Sequence, residues 1–278
     1  VGSEMCIRDS NMYSLLEPAS ERKKQVNLLG CNVPQKETDD IRAVLQQAGY
    51  ELGVLSACRD YAEFEEMAKA ELNLVISPVV LAAAKKMEKK LGIPWLRHLR
   101  SYRLDEIDEM YAELSKQLNT DLTEAAAEFR KKAEEKIRET LAVIGDYPVA
   151  VDYQSVLRPF NLALALTEYG FKVGMVASNG IPAFEKESAK KLKEMVPDVV
   201  FTDPMHPQSV QYPHEGEEYL CIGFDCGYIT KSKKLVELVE DEGLFGYSGV
   251  MELMNRMQDA FLTKADVNKM IEGAGLII

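Results

Sequence analysis

The chain has 278 residues, 46% hydrophobic and 28% charged, with a formal net charge of −12; that length holds two domains with full cores. The acidic balance argues against binding a phosphate backbone, which needs clustered Lys and Arg. The longest apolar runs, such as Leu72 to Ile76, are strand-sized, so neither a nucleic acid nor a membrane is expected as a partner.

Val1 to Ser10 lacks the apolar segment and cleavage pattern of a signal peptide, and position 1 is not Met. It resembles translated adaptor sequence. Residues 1–25 are therefore expected to be non-native or disordered, with a native amino-terminal region lost. Folding signals begin with an apolar strand at Val26 to Gly30. Thr38 is the expected N-cap of the next helix, with Asp39 and Asp40 in its first turn and Ile41, Val44, Leu45 and Ala48 as its apolar stripe. Gly49 ends it, and a strand runs from Leu52 to Leu55. An amphipathic stretch from Tyr61 to Ala70 precedes a strand at Leu72 to Ile76. A helix from Val79 to Leu91, stopped by Gly92, leads to Ile93 to Leu96, the last strand of a first α/β domain over residues 26–103.

From Leu104 to Ile144 the pattern becomes long, charged and helical, which predicts a helical linker over 104–146 with solvated outer faces. A second α/β domain spans 147–262. Its strands are expected at Pro148 to Asp152, Val173 to Ala177, Val199 to Thr202 and Tyr219 to Phe224; its helices at Phe160 to Tyr169, Phe184 to Met195 and Val250 to Phe261. The tail, 263–278, reads as one more short helix. The same module is thus written twice: a Gly-aromatic turn (Gly49-Tyr50, Gly170-Phe171), a strand, a helix, and a strand ending in a small polar residue and Pro (Ser77-Pro78, Asp203-Pro204). The expected fold is two doubly wound, Rossmann-like parallel-sheet domains joined by a long helical segment.

In such a fold ligands gather at the carboxyl ends of strands, here in an expected interdomain cleft. Position alone selects Cys31, Asn32, Ser56, Ser77, Asp152, Ser178, Asn179, Gly180, Asp203 to His206 and Asp225 to Gly227. Asp152 and Asp203 read equally well as caps of loops or helices. His206 and His214 read as exposed loop residues or as functional ones. Arg158, at the entrance of the helix near Phe160, suits an anionic ligand or cluster; its plain alternative is an ion pair with Asp152. The five cysteines are scattered and odd in number, which predicts a reducing, cytoplasmic setting. Cys221 and Cys226 lack CxxC spacing; in an extended segment they would face opposite ways. There is no GxGxxG, GxxxxGK[ST], GxSxG or HExxH pattern, which counts against dinucleotide, P-loop, esterase and zinc-protease chemistry.

Leu72-Asn73-Leu74-Val75, Met87 to Trp95, Leu157-Arg158-Pro159 and Gly246-Tyr247-Ser248-Gly249 together resemble nitrogenase component 1, the family of MoFe protein subunits and their cofactor-assembly and tetrapyrrole-reductase relatives. The similarity runs from about Val26 to Phe261. It implies the second and third of three α/β domains, the first being missing. In the catalytic MoFe subunit a cysteine after the NLV strand binds the iron–molybdenum cofactor, where this chain has Ser77; the molybdenum-binding histidine before the GYxG motif is matched by Phe245. The cofactor-contacting arginine is matched by Arg158. The resemblance implies an oxidoreductase subunit holding a metallocofactor or reducible substrate. Electrons would come from an ATP-dependent iron protein, and a paired component 1-like subunit would complete the assembly. An iron–sulfur cluster or related metallocofactor would exist only in that intact complex. Ser77 and Phe245 argue against dinitrogen reduction, since neither replaces the lost ligand. The alternative is a non-catalytic cofactor-assembly scaffold or a small-ligand-binding protein of the same fold.

Overall fold

The computed structural model describes residues 11–209 and 218–265. The chain divides into two compact units. Among the described residues, one comprises those up to Arg100, Asp105–Arg130 and Phe245–Ser248; the other comprises Ser101–Leu104, those between Lys131 and Leu244, and those from Gly249 to Ala265.

The first unit carries a four-stranded parallel sheet of β1 (Lys23–Leu29), β2 (Glu51–Gly53), β3 (Ala70–Val75) and β4 (Trp95–Arg97) in the order β2-β1-β3-β4. Helices Asp40–Gln47, Tyr61–Glu66 and Leu81–Leu91 lie between successive strands in the chain. The last five residues of β1 and the last four of β3 are buried, as in strands covered on both faces, although Gln25, Asn27 and Asn73 among them are polar. Met67, Met87, Leu91 and Ile93 fill one side of the core. Residues 11–25, set aside on sequence, join it: Tyr13 and Leu16 are buried, and Arg22 donates to the carbonyls of Ala68 and Leu91. One polar ladder crosses this sheet. Asn27 and Asn73, paired in register, are joined by a 2.9 Å hydrogen bond, and Asn27 also donates to the Met67 carbonyl.

The second unit carries a five-stranded parallel sheet of β5 (Val149–Asp152), β6 (Val173–Ala177), β7 (Val200–Thr202), β8 (Leu220–Ile222) and β9 (Lys234–Val236), in the order β7-β6-β5-β8-β9. Helix Pro159–Glu168 is apolar on every side and buried from Pro159 to Leu166, as the central helix of a doubly wound layer must be. Helices Leu104–Leu118 and Thr123–Ile144 lie between the two sheets in the chain, and helix Gly246–Leu262 follows β9.

The expected fold class holds, with local corrections: the strand expected over Leu52 to Leu55 is Glu51–Gly53, and the one expected from Ile93 begins at Trp95. The first helix starts at Asp40, and Asp39 occupies the N-cap position expected for Thr38. The strand expected to run to Phe224 stops at Ile222, because helix Phe224–Thr230 begins there. A further strand, β9, was not foreseen, since only Leu235 and Val236 are apolar in a run rich in Lys. That new helix also corrects the cysteine expectation: Cys221 lies on β8 and Cys226 on the helix, and both are buried and free. Cys6, His214 and nearly all of the tail after Thr263 lie outside the described residues. Among the described residues no helix is long and apolar enough to cross a membrane.

Candidate functional site

Each sheet has one place where the strand order reverses direction, and in open α/β sheets the crevice outside the carboxyl ends there is the binding position. In the first sheet it lies between β1 and β3; in the second, between β5 and β8.

At the first reversal stand two residues singled out by sequence, Cys31 after β1 and Ser77 after β3, both buried. The strand ends are tied by the Ile76 amide donating to the Leu29 carbonyl at 3.1 Å. Gly30 permits the approach: its φ is +93°, and a Cβ there would come within 2.7 Å of the Ser77 Cβ. Gln35 donates to the Cys31 sulfur at 3.2 Å, and the thiol reaches the Val33 carbonyl at 3.1 Å. Sequence reasoning missed Arg100. Its amide donates to the Ile76 carbonyl, and its buried guanidinium has Nη2 at 3.9 Å from the Cys31 sulfur. The available signal was its place just past β4. A thiol, a hydroxyl and a guanidinium therefore share one strand-end corner, a set that can receive an anionic or soft ligand.

At the second reversal the central group is Asp152, which is wholly buried. Burial raises its pKa to about 6, with the Asp225 carboxylate adding to the rise and the amides of Gln154 and Cys226 opposing it. One carboxylate oxygen accepts the Gln154 N–H and the other the Cys226 N–H, at 2.9 and 3.0 Å. Asp152 thus satisfies amides in the first turn of helix Phe224–Thr230, the capping role left open by the sequence. Asp225 is bridged to it through Gln154, whose Nε2 donates to the Asp225 carboxylate at 2.8 Å.

Arg158 is buried at the N-cap of helix Pro159–Glu168. Its ion-pair partner is Glu185 (Nε to Oε1, 3.4 Å), not the Asp152 that proximity in sequence suggested. The other Glu185 oxygen accepts the Phe160 N–H at 2.8 Å, so this carboxylate holds both the helix entrance and the guanidinium. Burial raises the Glu185 pKa to about 7, outweighing the Arg158 charge and the Phe160 and Asn161 amides. No sequence signal linked Glu185 to Arg158, because the two meet only through folding.

Beside the segment that connects β5 to helix Pro159–Glu168 runs a left-handed turn: Glu240, Asp241 and Glu242 have φ of 47°, 63° and 43°, followed by Gly243 at 81°. Three successive side-chain-bearing residues in this region cost about 1–2 kcal/mol each. Such clusters of backbone strain occur at functional sites and persist only where the surroundings impose them.

Ser56 borders the first corner, its hydroxyl donating to the Cys31 carbonyl at 3.4 Å; Asn179, Asp203 and Phe245 do not join these groups. Asn179 and Asp203 follow β6 and β7, away from the reversal, and both are exposed. Asp203 accepts the Met205 N–H at 2.9 Å in a local turn, and His206 accepts the Gln208 N–H. Phe245 is buried and counts with the first unit. Among the described residues no set of three or more His, Cys, Asp or Glu converges as a metal site.

A family model described as nitrogenase component 1 type oxidoreductase matches residues 5–262. No curated protein matches by sequence. Among solved structures, "Nitrogenase Cp1 at pH 6.5" is similar with a TM-score of 0.67 and 13% identity, covering 100% of this chain and 67% of that one. "Nitrogenase Cp1 at pH 5" gives a TM-score of 0.64 and 18% identity over 94% of this chain and 61% of that one, so the present chain spans about two thirds of their length. A mutant, metal-free form of a periplasmic metal binding protein from candidatus liberibacter asiaticus matches at a TM-score of 0.50 and 11% identity, over 86% of this chain and 100% of that one, a likeness of fold alone.

Proposed function

This chain belongs to the nitrogenase component 1 type oxidoreductase family, and from that premise we propose that it is an oxidoreductase subunit holding a reducible substrate or cofactor at the carboxyl ends of its strands. The observation that carries this reading is the meeting of Cys31, Ser77 and Arg100 at the first sheet's reversal, with Arg158 buried at a helix entrance after β5 in the second unit. In this reading Cys31 and Ser77 face the ligand in the first unit and Arg158 in the second, while Phe245, Asn179 and Asp203, which stand apart from these groups, take no contact. Electrons come from an ATP-dependent iron protein, a paired component 1-like subunit completes the assembly, and the setting is the reducing cytoplasm.

The residues present do not fit an iron–molybdenum cofactor held through side-chain ligands. Ser77 offers a hydroxyl where a thiolate is needed, Phe245 offers no donor, and no three-ligand group converges among the described residues. Dinitrogen is not the proposed substrate. The guanidinium groups suit a molecule bearing an anionic group, held without covalent ligation. The lack of ligands at Ser77 and Phe245 also favours a second reading, a scaffold that holds a cofactor in transit.

The test is anaerobic purification with the iron protein and paired subunit, followed by iron–sulfur absorption and ATP-dependent reduction. Turnover that needs all three components supports the enzyme. Absence of iron–sulfur absorption from the assembled complex would sink it. Transferable cofactor without turnover would replace it by the scaffold.

A further inference from the structure

We propose that the left-handed turn Glu240–Gly243 is a strap that positions Arg158, clamping the connector between β5 and helix Pro159–Glu168 through Asp241. The inference rests on the reading of Arg158 as a ligand contact and adds the element that sets its place.

Three points of the connector are held by the strap. The Glu240 amide donates to the Gln154 carbonyl at 2.9 Å, and the Asp241 amide donates to the Ser155 carbonyl at 2.8 Å. The Asp241 carboxylate accepts the Leu157 amide at 3.0 Å, one residue before Arg158. Its other oxygen accepts the Tyr102 hydroxyl at 2.7 Å, which fixes the carboxylate in turn. Asp241 is buried, whereas Glu240 and Glu242 are exposed, and Glu242 is anchored at 2.7 Å by Arg256.

A left-handed run of side-chain-bearing residues does not persist on its own energy; it is kept by the contacts that over-determine it. Here those contacts include the connector's own backbone, beside the Tyr102 hydroxyl and Arg256. Strap and connector therefore form one cooperative piece, with Asp241 as its positioning residue and Arg158, tied to Glu185, at its end. Opening the strap relieves its backbone strain and frees the Leu157 amide, which loosens the Arg158 guanidinium. An anionic ligand on Arg158 would close it.

The experiment uses the full chain, with hydrogen exchange read by mass spectrometry and the Arg158 Nε–Hε resonance read by NMR. Asp241→Asn removes one carboxylate acceptor. It is expected to speed exchange of the 154–158 amides about tenfold or more and to shift the Arg158 resonance, while β5 and helix Pro159–Glu168 keep their protection. Tyr102→Phe, a milder change, should do the same to a smaller degree. Glu240→Gly keeps every backbone hydrogen bond, removes strain and should slow the same amides several-fold. Unchanged 154–158 exchange with an unshifted Arg158 resonance in Asp241→Asn and Tyr102→Phe overturns the strap. So does faster exchange in Glu240→Gly. Arg158→Gln in the assembled complex tests the other reading separately: unchanged turnover would remove Arg158 from the ligand site and leave the strap's hold on the connector standing.

Discussion

The buried carboxylate of Asp40 accepts the backbone N–H of Tyr247 at 3.1 Å, across 207 residues of sequence. It also takes the Ser248 N–H at 3.0 Å and the Tyr111 hydroxyl at 2.7 Å, while the Asp40 amide donates to the Ser248 hydroxyl. These are the second and third amides of helix Gly246–Leu262, so Asp40 caps a helix from a distant part of the chain. The Gly-Tyr-Ser-Gly motif is thereby explained as architecture. Gly246, at φ +63°, lets the carboxylate in, since a Cβ would stand 2.4 Å from its oxygen; Tyr247 stacks on Tyr111 at 5.7 Å. Asp40→Ala strands a buried hydroxyl and two amides and should cost about 3 kcal/mol or more. Gly246→Ala, strained and in collision, should cost a comparable amount. Urea denaturation measures both, and a loss under about 1 kcal/mol in either would refute the cap.

Two buried acids make the second unit sensitive to pH. Glu185 titrates at about 7 and Asp152 at about 6 in the fold, both above their ordinary values of 4.5 and 3.8. A raised carboxylate pKa means the folded state holds its proton more tightly than the unfolded chain does. The stabilisation is therefore complete below those ordinary values and is lost as pH rises through about 6 to 7. For Glu185 the full difference is about 3 kcal/mol. Glu185→Gln should flatten the decline in wild-type stability between about pH 5 and 8. Parallel pH profiles for the two proteins would rule this out.

The alternation of strands and helices was readable from mostly apolar runs such as Leu72 to Ile76, in which Asn73 is the one polar residue. The order of those strands was not. Nothing local in the sequence says that β3 lies beside β1 or β8 beside β5, so the two reversals could not be located and Asn179 and Asp203 stood level with Cys31 and Ser77. The same limit hid the partners of the buried charges. Asp40, Glu185 and Asp241 each act on backbone amides distant in sequence, and an acidic residue in a helix's first turn looks the same whether it caps its own helix or another. The match of Gly246 to Gly249 with a family motif was visible, but its cause needed Asp40 in place.

Ser77→Cys asks whether a thiol alone makes a metal site here. The change nearly conserves volume at a buried position, so the fold should survive. Since no three-ligand group converges among the described residues, the variant should retain no more iron than wild type after anaerobic reconstitution and desalting. Elemental analysis settles it, and stoichiometric iron gained by the single substitution would show that ligands converge at this corner after all.

The Asn27–Asn73 pair is the place where the first sheet carries a polar cost inside its core. Both side chains are fully buried, and Asn27 is held from three directions: Gln25 donates to its oxygen at 2.9 Å, and its amide donates to Asn73 and to the Met67 carbonyl. Only Gly53, opposite in register on β2, leaves room for this arrangement, since a Cβ would lie 2.4 Å from the Asn27 oxygen. Removing one partner leaves buried polar groups unmet, at about 1–3 kcal/mol each, whereas removing both trades the pair for apolar packing, which can be nearly neutral. Asn27→Ala should therefore destabilise by about 2–4 kcal/mol. Asn27→Leu with Asn73→Leu should cost less than the sum of the two single changes. A double-mutant cycle in urea decides the matter, and strict additivity would mean that the two side chains do not depend on one another.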